Sequence, residues 1–276
     1  MKMKKLLAMV LCVAMVLSAT SLISFADSTG VVHNVSNNTE LVAAINSAVD
    51  GDIIKLAAGE YSAFDVSGKN ITVEGELGAD CEHLTVIKGG NPAITGHNFN
   101  GTIKNLKIVD AFKTFYAEPA GNIVFDNLYV TGGTYGIHAV AYENGKTWTI
   151  QNSYMDISWA NSFGRYTGEG ATEETKGATI IIKNNEFEST SPYYPGYGAP
   201  FVNTSSPDTV VEDNIFGENA RIQFLNQEAA TGTEIGLNYY ADGVENVIVS
   251  DNEYDVAPIV AWYETEDMDE DKVVKL

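Results

Sequence analysis

One seven-residue word returns along the chain, and a chain that repeats itself in register has few folds open to it. The word reads TIKNLKI (102–108), VFDNLYV (124–130), TIQNSYM (149–155), IIKNNEF (181–187), VVEDNIF (210–216) and IVSDNEY (248–254). In one alignment the first apolar column is Ile103, Phe125, Ile150, Ile182, Val211 and Val249. Two residues later stand Asn105, Asn127, Asn152, Asn184, Asp213 and Asp251. A second apolar column follows at Ile108, Val130, Met155, Phe187, Phe216 and Tyr254. The steps between anchors are 22, 25, 32, 29 and 38 residues. A unit this short, rich in Val, Ile and Phe at strand-like alternation, does not suit paired-helix repeats. It suits one turn of a three-sided coil whose neighbours stack about 4.8 Å apart through parallel ladders.

The amides answer a problem that such a stack creates. A polar group buried at a bend needs a partner, and an amide at the same place in every coil can donate to one neighbour and accept from the other. Asn and Asp also tolerate the left-handed backbone of tight turns. The expectation is an amide ladder at Asn105, Asn127, Asn152, Asn184 and the two aspartates after them. The bend itself is expected one residue on, at Leu106, Leu128, Asn185, Asn214 and Asn252. These amides are read as structural.

The flanks fit this picture. Residues 1–26 have a basic start (Lys2, Lys4, Lys5), an apolar run at 6–17 and small residues Ser24 and Ala26 before a cleavage point, the pattern of a secretory signal. A β-helix domain is expected over 27–262, followed by an acidic tail or end cap at 263–276. In NTELVAAINSAVDG (38–51), Leu41, Ile45 and Ala48/Val49 fall at helical spacing, with Gly51 as the stop. A short helix there would cover the open end of the stack. DIIKLAAGEYSAF and KNITVEGEL then begin the coils, and HLTVIKGG fits a second side of one coil.

Charge narrows the partners. The chain has a net charge of −21, which becomes −24 once the three signal lysines leave. Its only arginines are Arg165 and Arg221, so nucleic acid and anionic membrane surfaces are excluded as partners. After signal removal Cys81 is the only cysteine, expected as a small packed residue outside any disulfide.

The helix, GDIIKLAAGEYSAF and the recurring IxNNxF-type words together resemble the pectate-lyase-like right-handed parallel β-helix superfamily, over nearly all of 38–262. The resemblance implies an all-β solenoid of about eight coils with an N-terminal capping helix. It leaves activity open, because that fold carries lyases, hydrolases, epimerases, adhesins and non-enzymatic modules. The opening is similar to chondroitinase B and its alginate-lyase relatives, which use a Lys/Arg catalytic pair; no residues here are assigned to that pair. Polygalacturonase motifs are missing. The chain has no Asp-Asp and no Gly-His-Gly, and RIQ (221–223) only half matches Arg-Ile-Lys.

Insertions mark the working face of a solenoid. Two of them, 159–177 and 191–201, begin nine residues after their anchors, so they are expected at one corner of adjacent coils; 226–243 is expected at another. The first two carry Trp159, Phe163, Tyr166, Tyr193, Tyr194 and Tyr197, whose flat rings suit sugar faces and equally suit packing of the loops. The residue after the second apolar column points outward, which sets Asp156 beside Glu188. Such a pair serves as acid and base, as oxygen ligands for Ca²⁺, or as anchors for hydroxyls, and it is also what an acidic surface shows by chance. Arg165 would hold a carboxylate or neutralise the pair. His138 and Tyr142 carry proton-abstracting chemistry but alternate like an ordinary strand. Trp148 reads as core, and Lys146 as solvated.

The reading that results is a secreted β-helix meeting a polysaccharide or cell-surface glycan as a non-catalytic binding module. The catalytic alternatives are a Ca²⁺-assisted polysaccharide lyase and a glycoside hydrolase using Asp156, Glu188 and Arg165. A structural surface spacer is the third.

Overall fold

The fold was obtained as a computed structural model, which describes residues 30–143, 145–165, 178–191, 201–204, 209–217, 220–224, 234–235, 239–240, 247–249 and 274–275. The expected signal and nearly all of the acidic tail lie outside them. The chain coils through three sheets of ten, eight and eight strands, in which each strand pairs with the equivalent strand of the coils before and after it. All pairings are parallel except that of the last strand of the first sheet, Val274–Lys275. This is an all-β parallel β-helix.

One coil shows the plan. Asn70–Gly75 lies in the first sheet, Thr85–Lys88 in the second and Ile94–Thr95 in the third, before Asn100–Lys104 returns to the first. HLTVIKGG is therefore the second side of a coil, as expected. The expected column Ile103, Phe125, Ile150, Ile182 and Val211 is in register throughout, and each member is at most 1% exposed. The next member is Ile235, not Val249. Val249 pairs with Phe224 in the third sheet. TEIGLNYY (233–240) carries the sixth unit, with Leu237 at the position of the first amide and Asn238 at that of the second.

The bend reverses one expectation. Asn105, Asn127, Asn152, Asn184 and Asp213 all have φ between 52 and 59°, so the left-handed turn sits on the first amide. The fully buried ladder is one residue later. Asn214 Oδ1 accepts from the backbone N–H of Asn185 (3.0 Å) and from Asn185 Nδ2 (2.9 Å). Asn185 Oδ1 accepts from Ser153 N–H (3.0 Å), and Ser153 Oγ accepts from Leu128 N–H (3.0 Å). The left-handed residue ranges from buried at Asn127 to exposed at Asp213, whereas its successor is fully buried in every one of these coils. The outer column keeps local amide contacts, such as Asn127 Nδ2 donating to Asn105 Oδ1 at 2.9 Å.

The outward face of the first sheet carries Lys55, Glu74, Lys104 and Asp126 in one column, alternating in sign, with Lys104 Nζ 3.4 Å from Glu74 Oε2. Trp148 is core as expected, its Nε1 donating to Gly121 O at 2.8 Å. Lys146 pairs with Glu143 at 3.3 Å.

Helix α1 spans Asn38–Ser47, capped by Asn37, whose side chain accepts from Glu40 N–H at 3.0 Å. Leu41, Ala44 and Ile45 are buried. The helix stops before Ala48, whose ψ of 138° is extended, and Val49 is 66% exposed, so the expected continuation to Gly51 does not occur. Beside it, Asp52 is buried and holds His33 Nε2 (2.8 Å), Val31 N–H (2.8 Å) and Val49 N–H (3.1 Å). Cys81 is half-buried in a turn, at a left-handed φ of 59°.

The bend and the cap can be tested at three residues. Asn185→Ala leaves Ser153 N–H without its buried acceptor and should cost about 1–3 kcal/mol in urea unfolding. Asn184→Gly should be near neutral, but Asn184→Val should lose roughly 1–2 kcal/mol at the left-handed position. The hydrogen bond to His33 leads the contacts holding the Asp52 carboxyl below its usual value. Its stabilisation is complete above the unfolded value of about 3.9 and is lost as pH falls through the lower folded value. The acid limb of stability against pH should therefore be shallower in Asp52→Asn.

Candidate functional site

The corner between the second and third sheets carries three exposed or half-buried rings, one per coil. Phe112 is 47% exposed, and Tyr135 stands 5.5 Å from it, ring to ring, with Trp159 5.8 Å further on. Backbone bonds fix them there. Tyr135 N–H donates to Phe112 O at 2.8 Å, and Trp159 N–H donates to Thr134 O at 2.8 Å. A bulge between Thr131 and Gly133 precedes the middle ring. Gly132 has φ 71° there, and a Cβ would come within 2.5 Å of Asp110 Oδ1. The bulge re-aims the chain so that Tyr135 points outward.

On the third-sheet side of this ridge lies a polar cluster. Lys113, in register with Tyr135, places Nζ 4.5 Å from the Tyr116 ring centre and 5.9 Å from that of Tyr135. Tyr116 is in register with His138, their rings 5.3 Å apart, and its other side meets His97 edge-on at 5.4 Å. Glu118 accepts from the hydroxyls of Tyr116 (2.7 Å) and Tyr142 (2.8 Å), and its N–H donates to His97 Nδ1 at 3.0 Å. The Nδ1 of His138 is buried and has no hydrogen-bond partner.

Electrostatics follow from these contacts. The Tyr116 hydroxyl is pushed up to about 12, first by its bond to Glu118 and then by burial. The same bond leads the contacts that hold Glu118 below the ordinary carboxylate value. Burial, then Lys113, lowers His138 below the usual imidazole value, with Glu118 opposing them.

The expected carboxylates are placed as predicted but already engaged. Asp156 and Glu188 are opposite each other in the second sheet. Asp156 accepts from Thr190 N–H (2.9 Å) and Thr190 Oγ1 (2.6 Å), and Glu188 accepts from Tyr154 OH (2.8 Å). Burial and then Glu188 push the Tyr154 hydroxyl well up. Among the described residues no three His, Cys, Asp or Glu converge on a metal position.

Arg165 ends the third-sheet strand Ala160–Arg165 at the register position of Ala141, one sheet away from the carboxylates. That strand also corrects the insertions. Residues 160–165 are strand, not loop, with Phe163 1% exposed in the core. The first insertion is followed beyond Arg165 by residues 166–177, and the second runs on from the second-sheet strand Glu186–Glu188 through 192–200; both stretches lie outside the described residues. Strands Glu234–Ile235 and Tyr239–Tyr240 run within the third. Of the expected sugar-contacting rings Trp159 is on the ridge; Tyr166, Tyr193, Tyr194 and Tyr197 lie outside the described residues.

Phe112, Lys113, Tyr116, Glu118, Tyr135 and His97 were not singled out by the sequence. The signal existed: Phe115 to Ile137 and Tyr116 to His138 are the same 22-residue step as Ile103 to Phe125. The repeat register, carried to the coil's third side, aligns them.

No protein-family model and no curated protein sequence matches the chain. Among solved structures, the PL6 family alginate lyase AlyGC is similar at 16% identity and TM-score 0.41, over 82% of this chain and 40% of that one. A point mutant of the same enzyme is similar at 16% identity and TM-score 0.37, over 85% and 40%. The chain thus spans well under half the length of either.

The cluster yields one direct check. In Tyr116→Phe the Glu118 carboxyl should titrate closer to its ordinary value, read from its side-chain carbon resonance. An unchanged titration would show that the two groups are not bonded.

Proposed function

We propose that this chain is an exported carbohydrate-binding β-helix whose glycan lies along the ridge of Phe112, Tyr135 and Trp159. The observation that carries this reading is the ridge itself. Three rings brought side by side outside the core form a contiguous apolar, flat surface of the kind that marks a binding site. The ring faces of a sugar match that surface, and the tyrosine tip bonds its hydroxyls. Asp156 and Glu188, on the adjoining sheet, accept hydroxyl donors already and are suited to accept more from a polar ligand. Nothing about this pair demands catalysis.

A polysaccharide lyase is the second reading, favoured by the partnerless Nδ1 of His138 beside Lys113. A neutral imidazole next to a cation is equipped to take a proton from carbon alpha to a bound carboxylate.

The test uses the chain without residues 1–26 on a panel of neutral and acidic polysaccharides. Trp159→Ala combined with Phe112→Ala should weaken retention at least tenfold, since stacked rings contribute about 1–3 kcal/mol each, with the unfolding midpoint unchanged. Retention unaffected by the double variant would remove the ridge as the site. Growth of ultraviolet absorbance from unsaturated uronates, abolished by His138→Ala, would replace binding by the lyase reading.

A further inference from the structure

Lys113 is an unusual cation for so acidic a chain. Among the described residues it forms no ion pair; two tyrosine rings hold its ammonium group. A cation held over ring faces keeps its charge available to a further anion, whereas a carboxylate partner would consume it. Glu118, in the same cluster, has both oxygens occupied by the hydroxyls of Tyr116 and Tyr142.

His138 is the second element. It faces Lys113, Tyr116 and Glu118 from the preceding coil, and His97 beyond Tyr116. On its own strand and the turn after it stand Tyr135 and Tyr142. The following coil places Ser162 opposite it and Arg165 at the register of Ala141. Its buried Nδ1 lacks a partner.

Resting on the carbohydrate reading above, we propose that Lys113 and His138 form a subsite for one negatively charged group of a ridge-bound glycan, a carboxylate or a sulfate. Proton uptake by His138 strengthens that subsite. With His138 neutral the anion meets Lys113 alone. With His138 protonated it meets two cations, and the bound anion in turn raises the affinity of His138 for its proton. The net charge of −21 opposes an anion from afar, but that field is screened beyond about 8 Å at physiological salt. The two near cations decide the outcome.

Affinities of a uronate oligosaccharide and of its neutral counterpart would be measured from about pH 8 down to about pH 5, where imidazoles titrate. The uronate should bind roughly fivefold to tenfold tighter at the acid end, about the effect of one added charge contact. The neutral sugar should show no such slope. His138→Gln should lose the slope, and Lys113→Met should weaken the uronate throughout. An equal slope in His138→Gln, or no preference for the uronate at either end, overturns the proposal while leaving neutral-sugar binding to support the ridge.

A second readout does not depend on the ridge. Sodium sulfate, compared with chloride at equal ionic strength, should raise the pKa of His138 followed by its imidazole resonances. No rise overturns the subsite whatever the glycans do.

Discussion

The middle of this molecule rests on the repetition of one bend. Five successive coils leave the first sheet through a left-handed residue, at Asn105, Asn127, Asn152, Asn184 and Asp213, and each buries the residue that follows. Strands of two to seven residues have little stability alone, so their pairing must be imposed from outside. The bend imposes it. Once Asn184 turns and Asn185 bonds Ser153 and Asn214, the strands on either side enter the sheets at one height. The apolar columns then close without slippage, from Ile103 to Val211 in one sheet and from Ile108 to Phe216 in another.

That dependence explains what was legible in the sequence. Apolar alternation with a recurrent amide is a consequence of stacking, so the first and second sheets can be read almost residue by residue. The third sheet is harder, because its strands follow no amide and its connections vary in length. The strand Ala160–Arg165 looks like the start of a loop for that reason, although Asn161 and Phe163 point inward. Letters alone also mislead: IVSDNEY matches the repeated word, yet Val249 pairs in the third sheet, and 250–254 lie outside the described residues.

The candidate site divides along the same line. Asp156 and Glu188 were predictable neighbours because they follow directly from the second apolar column. What satisfies them was not, since Thr190 and Tyr154 are chosen by side-chain geometry and not by periodicity. The ridge and the Lys113–His138 cluster combine residues 112–118 with 135–142 and 159, joined only through the third side of the coil. Their juxtaposition is a property of the stack, and no short motif spells it.

The alternating column on the first sheet also bears on how the chain reaches this state. A solenoid built of similar words can assemble with one coil skipped, because its neighbours offer nearly the same apolar surface. Here, omitting the coil that carries Glu74 would set Lys55 directly against Lys104, like charge on like. Omitting the next would set Glu74 against Asp126 in the same way. The surface that plays no part in the ridge thus works as a parity check on coil order. It penalises an error that the apolar columns by themselves would accept.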